Sequence, residues 1–225
     1  MRKITVIFIA ACVVFDLVLV SCGGDKKASK ETDREKFAKK LESGEYADLT
    51  ILQKAAEKEI ESFSFSLKKA LSEAMHDGGP INAINVCSEL APEIAMAHST
   101  EGWTISRISE KSRNRNNRAD NMQLEILDEF YSPDQEPKYV GEWQMLSGKK
   151  TYFYYKPIYV QEICLNCHGA RENIKPEVAA KIKELYPEDA ATGYRVGDLR
   201  GMFVVKVAWP EGRARAEALA ADSID

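Results

Sequence analysis

The chain has 225 residues, a formal net charge of −4, 44% hydrophobic residues and 29% charged ones. That is an ordinary globular composition with room for one sizeable core. Its mildly acidic balance gives no electrostatic reason to bind nucleic acid, and no such partner is expected.

Arg2 and Lys3 precede an apolar run from Ile4 to Val20. The run is too short and too poorly flanked for a transmembrane helix, and it reads as an export signal. It ends in "LVSC", Leu19 to Cys22, which resembles the lipobox of bacterial lipoproteins. That resemblance implies cleavage before Cys22 and a lipid on Cys22. Asp16 is a misplaced charge in the apolar run, and an ordinary signal or membrane anchor with a chance cysteine is the competing reading. Gly23 follows, rather than the aspartate that resembles an inner-membrane retention signal. The expected location is therefore the periplasmic side of the envelope, at the outer membrane before the inner. Residues 23–45 are mostly charged or small and cannot build a core. The expected organisation is a signal peptide over 1–21, a charged tether over 22–45 and a domain over 46–225.

From Tyr46 to His76 apolar residues recur at three- and four-residue steps, among them Leu49, Leu52, Ala56, Ile60, Phe63 and Leu67. This spacing predicts a helix. "DGGP", Asp77 to Pro80, stops it, and Pro80 opens a second helix to about His98. The stripe of that helix is Ile84, Cys87, Ala91, Ile94 and His98, which points Cys87 at the core. "GWTISRIS" alternates and predicts a strand over Trp103–Ser109. A polar loop, "KSRNRNNRAD", follows, and Asp120 is placed to cap a helix over Asn121–Phe130. "YVGEWQMLSGKKTYFYYKPIYV" predicts two half-buried strands around a Ser147-Gly148 turn. Beyond it lie a helix over Lys175–Tyr186, a last strand in "GMFVVKVAWP", and a final helix or frayed tail. Long helices first and an antiparallel sheet second make an α+β domain.

The second hairpin strand leads directly into "ICLNCHGA", residues 163–170. A CxxC pair could hold zinc or form a thioredoxin-like site, but no further zinc ligands follow and no βαβ pattern surrounds it. A structural Cys164–Cys167 disulfide is the plain alternative. In an exported chain, CxxCH reads as covalent attachment of one c-type haem. Cys164 and Cys167 take the two vinyl groups on one porphyrin edge, and His168 is the proximal iron ligand. Five cysteines are present. Cys12 leaves with the signal and Cys22 takes the lipid, so Cys87 remains without a cysteine partner in an oxidising compartment. From the residues alone the sixth iron position is open to Cys87, His98, His76 or a methionine. His98 lies eleven residues from Cys87, about 16 Å along a helix, so the two cannot share one iron. His98 and His76 both sit at helix ends, where a cation suits the dipole. Met96, Met122, Met145 and Met202 fit core positions.

Three segments together, "GPINAINVCSELAPEIA", "RISEKSRNRNN" and "CLNCHG", with the final "GDLRGMFVV", resemble a bacterial family of exported haem-binding domains. The family has long been known only as a domain of unknown function. The resemblance covers most of residues 46–210. It implies a PAS-like fold, a central antiparallel sheet flanked by helices, with one covalent haem c. It also implies His168 as proximal ligand and Cys87 as distal ligand. Arg113 and Asn114, in the basic loop, are candidates for the haem propionates. Tyr152 and Tyr154 are candidates for the pocket wall or for plain sheet core. The function expected is electron transfer or redox sensing with an unidentified redox partner protein, and a homodimer is allowed for. A haem-based gas sensor or a peroxidase-like enzyme, each with an exchangeable sixth ligand, is the competing class. No catalytic residues are expected, because no histidine is left with a carboxylate and a nucleophile as partners.

Overall fold

The apolar spacing from Leu49 onward does form a helix. In the computed structural model, which describes residues 45–100, 102–131 and 138–222, helix α1 runs from Glu45 to Asn85. The export signal, Cys22 and the tether up to residue 44 lie outside the described residues. The chain divides into two units, Met1–Tyr46 and Ala47–Asp225, and everything from Ala47 on belongs to the second. α1 is interrupted at Gly79, whose φ of 67° and ψ of −161° are not helical. Only glycine adopts that backbone without strain, and Pro80 then restarts the helix with its φ already set. The break falls where "DGGP" predicts it.

The helix after the break departs from expectation. Val86–Leu90 is a π-helical turn, and α2 resumes over Ala91–Ala97. The expected α-helical stripe is therefore re-registered at Cys87. Strand β1 spans Trp103–Ile108, and a 3-10 turn at Arg115–Asn117 leads to α3, Asn121–Tyr131. Asp120 Oδ1 accepts the Gln123 N–H at 2.8 Å, while Gln123 Oε1 accepts the Asp120 N–H at 3.0 Å. This reciprocal pair is a capping box and fixes the start of α3. β2, Val140–Leu146, and β3, Lys149–Tyr159, meet at Ser147 and Gly148, both with positive φ, 51° and 80°. That is the turn that matches strand twist in a two-residue hairpin.

After β3 come a 3-10 turn at Glu162–Cys164, the single turn α4, Leu165–His168, and α5, Pro176–Leu185. β4, Leu199–Trp209, and α6, Arg213–Ala221, close the chain. The sheet order is β1-β4-β3-β2, with every pairing antiparallel. The last strand thus lies in the middle of the sheet. This is the α+β, PAS-like arrangement expected from the sequence, a central antiparallel sheet with helices against it.

The period-two rule shows why both faces are covered. Trp103, Ile105, Tyr152, Tyr154, Val205 and Val207 pack on Leu52, Ala55, Ala56, Ile60 and Phe63 of α1. Phe153, Tyr155, Met202 and Val204 pack on Ile126, Leu127 and Phe130 of α3. β3 was expected to be half-buried. With a helix on each face, Thr151 to Tyr155 are buried without alternation. Tyr152 and Tyr154 are accordingly sheet core and not pocket wall, and the Tyr154 hydroxyl donates to Glu57 Oε1 at 2.9 Å. Beyond the kink, Ile84 turns to a separate cluster with Ile174, Val178 and Ile182 around α5.

Candidate cofactor site

The kink and the π turn carry Cys87 across from the end of β3. Between them lies a cavity of about 280 Å³. Its walls include Leu67, Leu71, Met75 and Ile84 from α1, Phe203 and Gly201 from β4, and Ile158 from β3. Cys164, Cys167 and His168 line it on one side and Cys87 on another. The two motifs singled out by spacing, eighty residues apart in sequence, thus face one half-open space with largely apolar walls.

The CxxCH segment is held by its own backbone and by two loops. Cys164 ends one short turn and Cys167 lies in the next, so the three-residue step turns both side chains to the same cavity. Cys167 packs against Ile84 and α5, and Cys164 and Leu165 pack against Val160, Ala191 and Tyr194. The Tyr194 N–H donates to the His168 carbonyl at 3.0 Å, and the Gly193 N–H to the Gly169 carbonyl at 2.8 Å. Cys87, Cys164 and Cys167 are all free of disulfides. Burial pushes the Cys167 thiol up, Arg113 pulls it down, and Cys87 adds a smaller upward push.

His168 has one ring nitrogen engaged and one spare. Its Nδ1 is 2.7 Å from the Ala191 carbonyl, so Nδ1–H donates and Nε2 keeps its lone pair. Burial, and then the positive charges of Arg113 and Arg200, hold its pKa well below the ordinary histidine range. The ring is therefore neutral near pH 7, the form that binds metal. Tyr194 stands edge-on to it, ring centres 6.4 Å apart.

Arg113 and Asn114 both line the cavity, but Arg113 has other partners. Its Nε and one terminal nitrogen donate to both oxygens of Asp189, at 3.1 and 3.3 Å. The same terminal nitrogen donates to the Cys167 carbonyl. Arg113 is thus a brace between the basic loop, the motif and the Ala190 loop. Asn114 Oδ1 accepts the Asn116 N–H at 3.0 Å and caps the 3-10 turn. Two arginines that sequence reasoning missed also line the cavity, Arg107 of β1 and Arg200 of β4. Arg200 donates to Ser109 Oγ at 2.7 Å and lies over the Tyr194 ring. Arg107 was hidden in a strand whose alternation alone says only that it shares the face of Trp103 and Ile105.

His76, His98, Met96, Met122, Met145 and Met202 do not line the cavity. His76 is 90% exposed beside Asp77. Met96, Met122 and Met145 were expected to fit core positions; they are exposed, and only Met202 is buried. Met75, not singled out by the sequence, is the methionine on the wall. His98 caps α2, but its role differs from the expected helix-end cation. Its Nδ1 is 2.6 Å from Glu59 Oε1, whose other oxygen is 2.7 Å from Arg215. His98 Nε2 is also 3.3 Å from Ser66 Oγ. The sequence expectation that no histidine has both a carboxylate and a hydroxyl as neighbours is thereby corrected. Ser66 sits in mid-helix, though, where its Oγ bonds the Ser62 carbonyl and nearby N–H groups are spent on the helix. Nothing there supplies an oxyanion hole.

Among the described residues no cluster of three or more His, Cys, Asp and Glu side chains could hold a metal ion alone. The zinc reading therefore lacks a ligand set, whereas a porphyrin would bring four ligands of its own. Two unbridged thiols, a neutral histidine with a spare nitrogen, a third thiol and apolar walls fit a covalently attached haem.

Fold and site together define a class: an α+β sheet domain whose cavity joins a CxxCH motif to a cysteine on a kinked helix. The profile of the Tll0287-like family matches residues 25–208. The chain belongs to the Tll0287-like family. A solved structure described as the cyanobacterial heme-protein Tll0287 is similar, with 28% sequence identity, a TM-score of 0.47, and coverage of 76% of this chain and 97% of that one. No curated protein matches the chain.

Proposed function

We propose that the protein is a monohaem c-type cytochrome that works in electron transfer or redox sensing. The carrying observation is the single cavity lined by Cys164, Cys167, His168 and Cys87. A bound haem supplies one-electron iron chemistry there. Cys164 and Cys167 hold it by thioethers, so it does not dissociate. His168 is the proximal ligand, oriented by its bond to the Ala191 carbonyl. Cys87 is the distal ligand, carried by the π turn. If His168 and Cys87 both hold the iron, the haem would supply electron passage before ligand capture. Export, lipidation at Cys22 and a place on the periplasmic side of the envelope, outer membrane before inner, rest on the N-terminal sequence. The partner is an unidentified redox protein.

The test is chemical. After acid–organic extraction the haem should stay with the polypeptide, and Cys164→Ser with Cys167→Ser should release it. Haem in the organic phase of the wild-type sample would sink the reading. Rapid carbon monoxide binding by the reduced protein would instead favour the gas-sensing class.

A further inference from the structure

Cys87 stands between two cavities. Behind the one it shares with His168 lies a second, of about 220 Å³. Phe63, Arg107, Asn114, Asn116 and Asn117 line it with Cys87. Arg107 belongs to the walls of both cavities. Its guanidinium makes no hydrogen bond or ion pair with any described residue. The other inward arginines are all engaged: Arg113 with Asp189, Arg200 with Ser109, Arg215 with Glu59. Arg107 is partly buried, and burial pulls its pKa down from the ordinary value. Cys87 and Tyr186 lie close enough to offset part of that electrostatically, but neither bonds the guanidinium. Five donors in a planar fork therefore line a space of mixed character, with Asn114, Asn116 and Asn117 on one part of its wall and Phe63, Ala91 and Ala95 on another, and no described acceptor bonds them.

We propose that Arg107, flanked by Asn114, Asn116 and Asn117, is the anchor of a receptor for a carboxylate-type oxyanion beside Cys87. The fork matches two oxygens on one planar centre, and a bidentate pair of this kind is the strong form of charge-assisted hydrogen bond. The amides at the rim add neutral donors without adding charge. The volume suits an anion of a few heavy atoms. Such a carboxylate can come from two sources: a free small anion in the second cavity, or a propionate of the haem in the first. Only the second source rests on the haem reading above.

The experiment has two arms, both on the purified holoprotein. In the first, sodium formate and sodium nitrite are titrated calorimetrically at low ionic strength. In the second, the propionate-bending bands are compared by resonance Raman between wild type and Arg107→Gln. Saturable formate or nitrite binding that weakens about tenfold or more in Arg107→Gln identifies a free anion. Arg107→Lys should then lie between the two, since it keeps the charge and loses the fork. Asn116→Ala, at an exposed rim position, should bind about threefold more weakly and guards against misfolding of the arginine variants. No anion binding, but shifted propionate bands in Arg107→Gln, identifies the haem's own carboxylate as the occupant. Equal anion binding in wild type and Arg107→Gln overturns the proposal. So does an absence of binding together with unmoved bands. If the wild type carries no covalent haem, the cytochrome reading fails while the first arm still reads the receptor.

Discussion

Cys87 was legible as a residue that needed a reason, because every other cysteine had one. What the sequence could not place was its surroundings. The π turn at Val86–Leu90 carries it, and no spacing rule forecasts one extra residue in a helical turn. Arg113 shows the same limit. A basic loop was visible; that one of its arginines would clamp the Cys167 carbonyl to Asp189 depends on loops seventy-six residues apart. The haem reading makes Cys87 testable by itself. A metal-bound cysteine is a thiolate, and anionic sulfur stabilises ferric iron over ferrous. Cys87→Ala should keep its covalent haem, lose the thiolate-type charge-transfer bands of the ferric form and show a higher potential. An unchanged ferric spectrum would hand the sixth position to another side chain, with Met75 the first to replace.

At the scale of elements, the local signals were strong and the pairing signals weak. Helix α1, its stop at Gly79, the β2–β3 hairpin and the α3 capping box all follow from nearby residues. The central place of β4 does not, because it depends on long-range pairing with both β1 and β3. Nor was the double burial of β3 evident, since it needs α3 on the far face. β4 carries one position where that pairing leaves no slack. Gly201 has φ 155°, beside the register shift at Ile158 and Tyr159. A Cβ there would run into the Ile108 carbonyl of the neighbouring strand. Gly201 also lines the cavity. Gly201→Ala should cost about 1–3 kcal/mol, since backbone and contact are both strained. In a domain of this size each kcal/mol lowers the melting temperature by about 2–4 °C. A melting curve that matches the wild type would show that the strand pair relaxes freely at this point.

For the whole molecule, Glu59 is the polar counterpart of the apolar core. It is buried yet bonded to His98 and Arg215, so it ties α1 to α2 and to α6. The sequence gives no hint of it, since the three residues are separated by 39 and 117 positions and differ in environment only after folding. Residues 1–44, which carry the export and lipid-anchor readings, lie outside the described residues. If Cys22 carries a lipid, labelled fatty acid should enter the wild-type protein and not Cys22→Ala; equal labelling of both would rule out the anchor.

The buried tyrosines set the alkaline limit of the same fold. Burial first, and then the charges of Tyr139 and Glu57, push the Tyr152 pKa up to about 12. Tyr154 and Tyr155 are raised as well, each mainly by burial. An unfolded tyrosine loses its proton near pH 10. Between these limits the unfolded chain binds fewer protons than the folded one, so stability falls as pH rises. The contribution of Tyr152 is complete below about pH 10 and is lost by about pH 12. A shift of about two units makes its share about 3 kcal/mol. Urea unfolding should therefore give a level free energy from pH 7 to 9 and a steep decline from pH 10 to 12. Tyr152→Phe should make that decline shallower, because the phenol responsible is gone. Tyrosinate absorbance that develops fully near pH 10 while the near-ultraviolet dichroism stays native would show that these phenols reach solvent without unfolding.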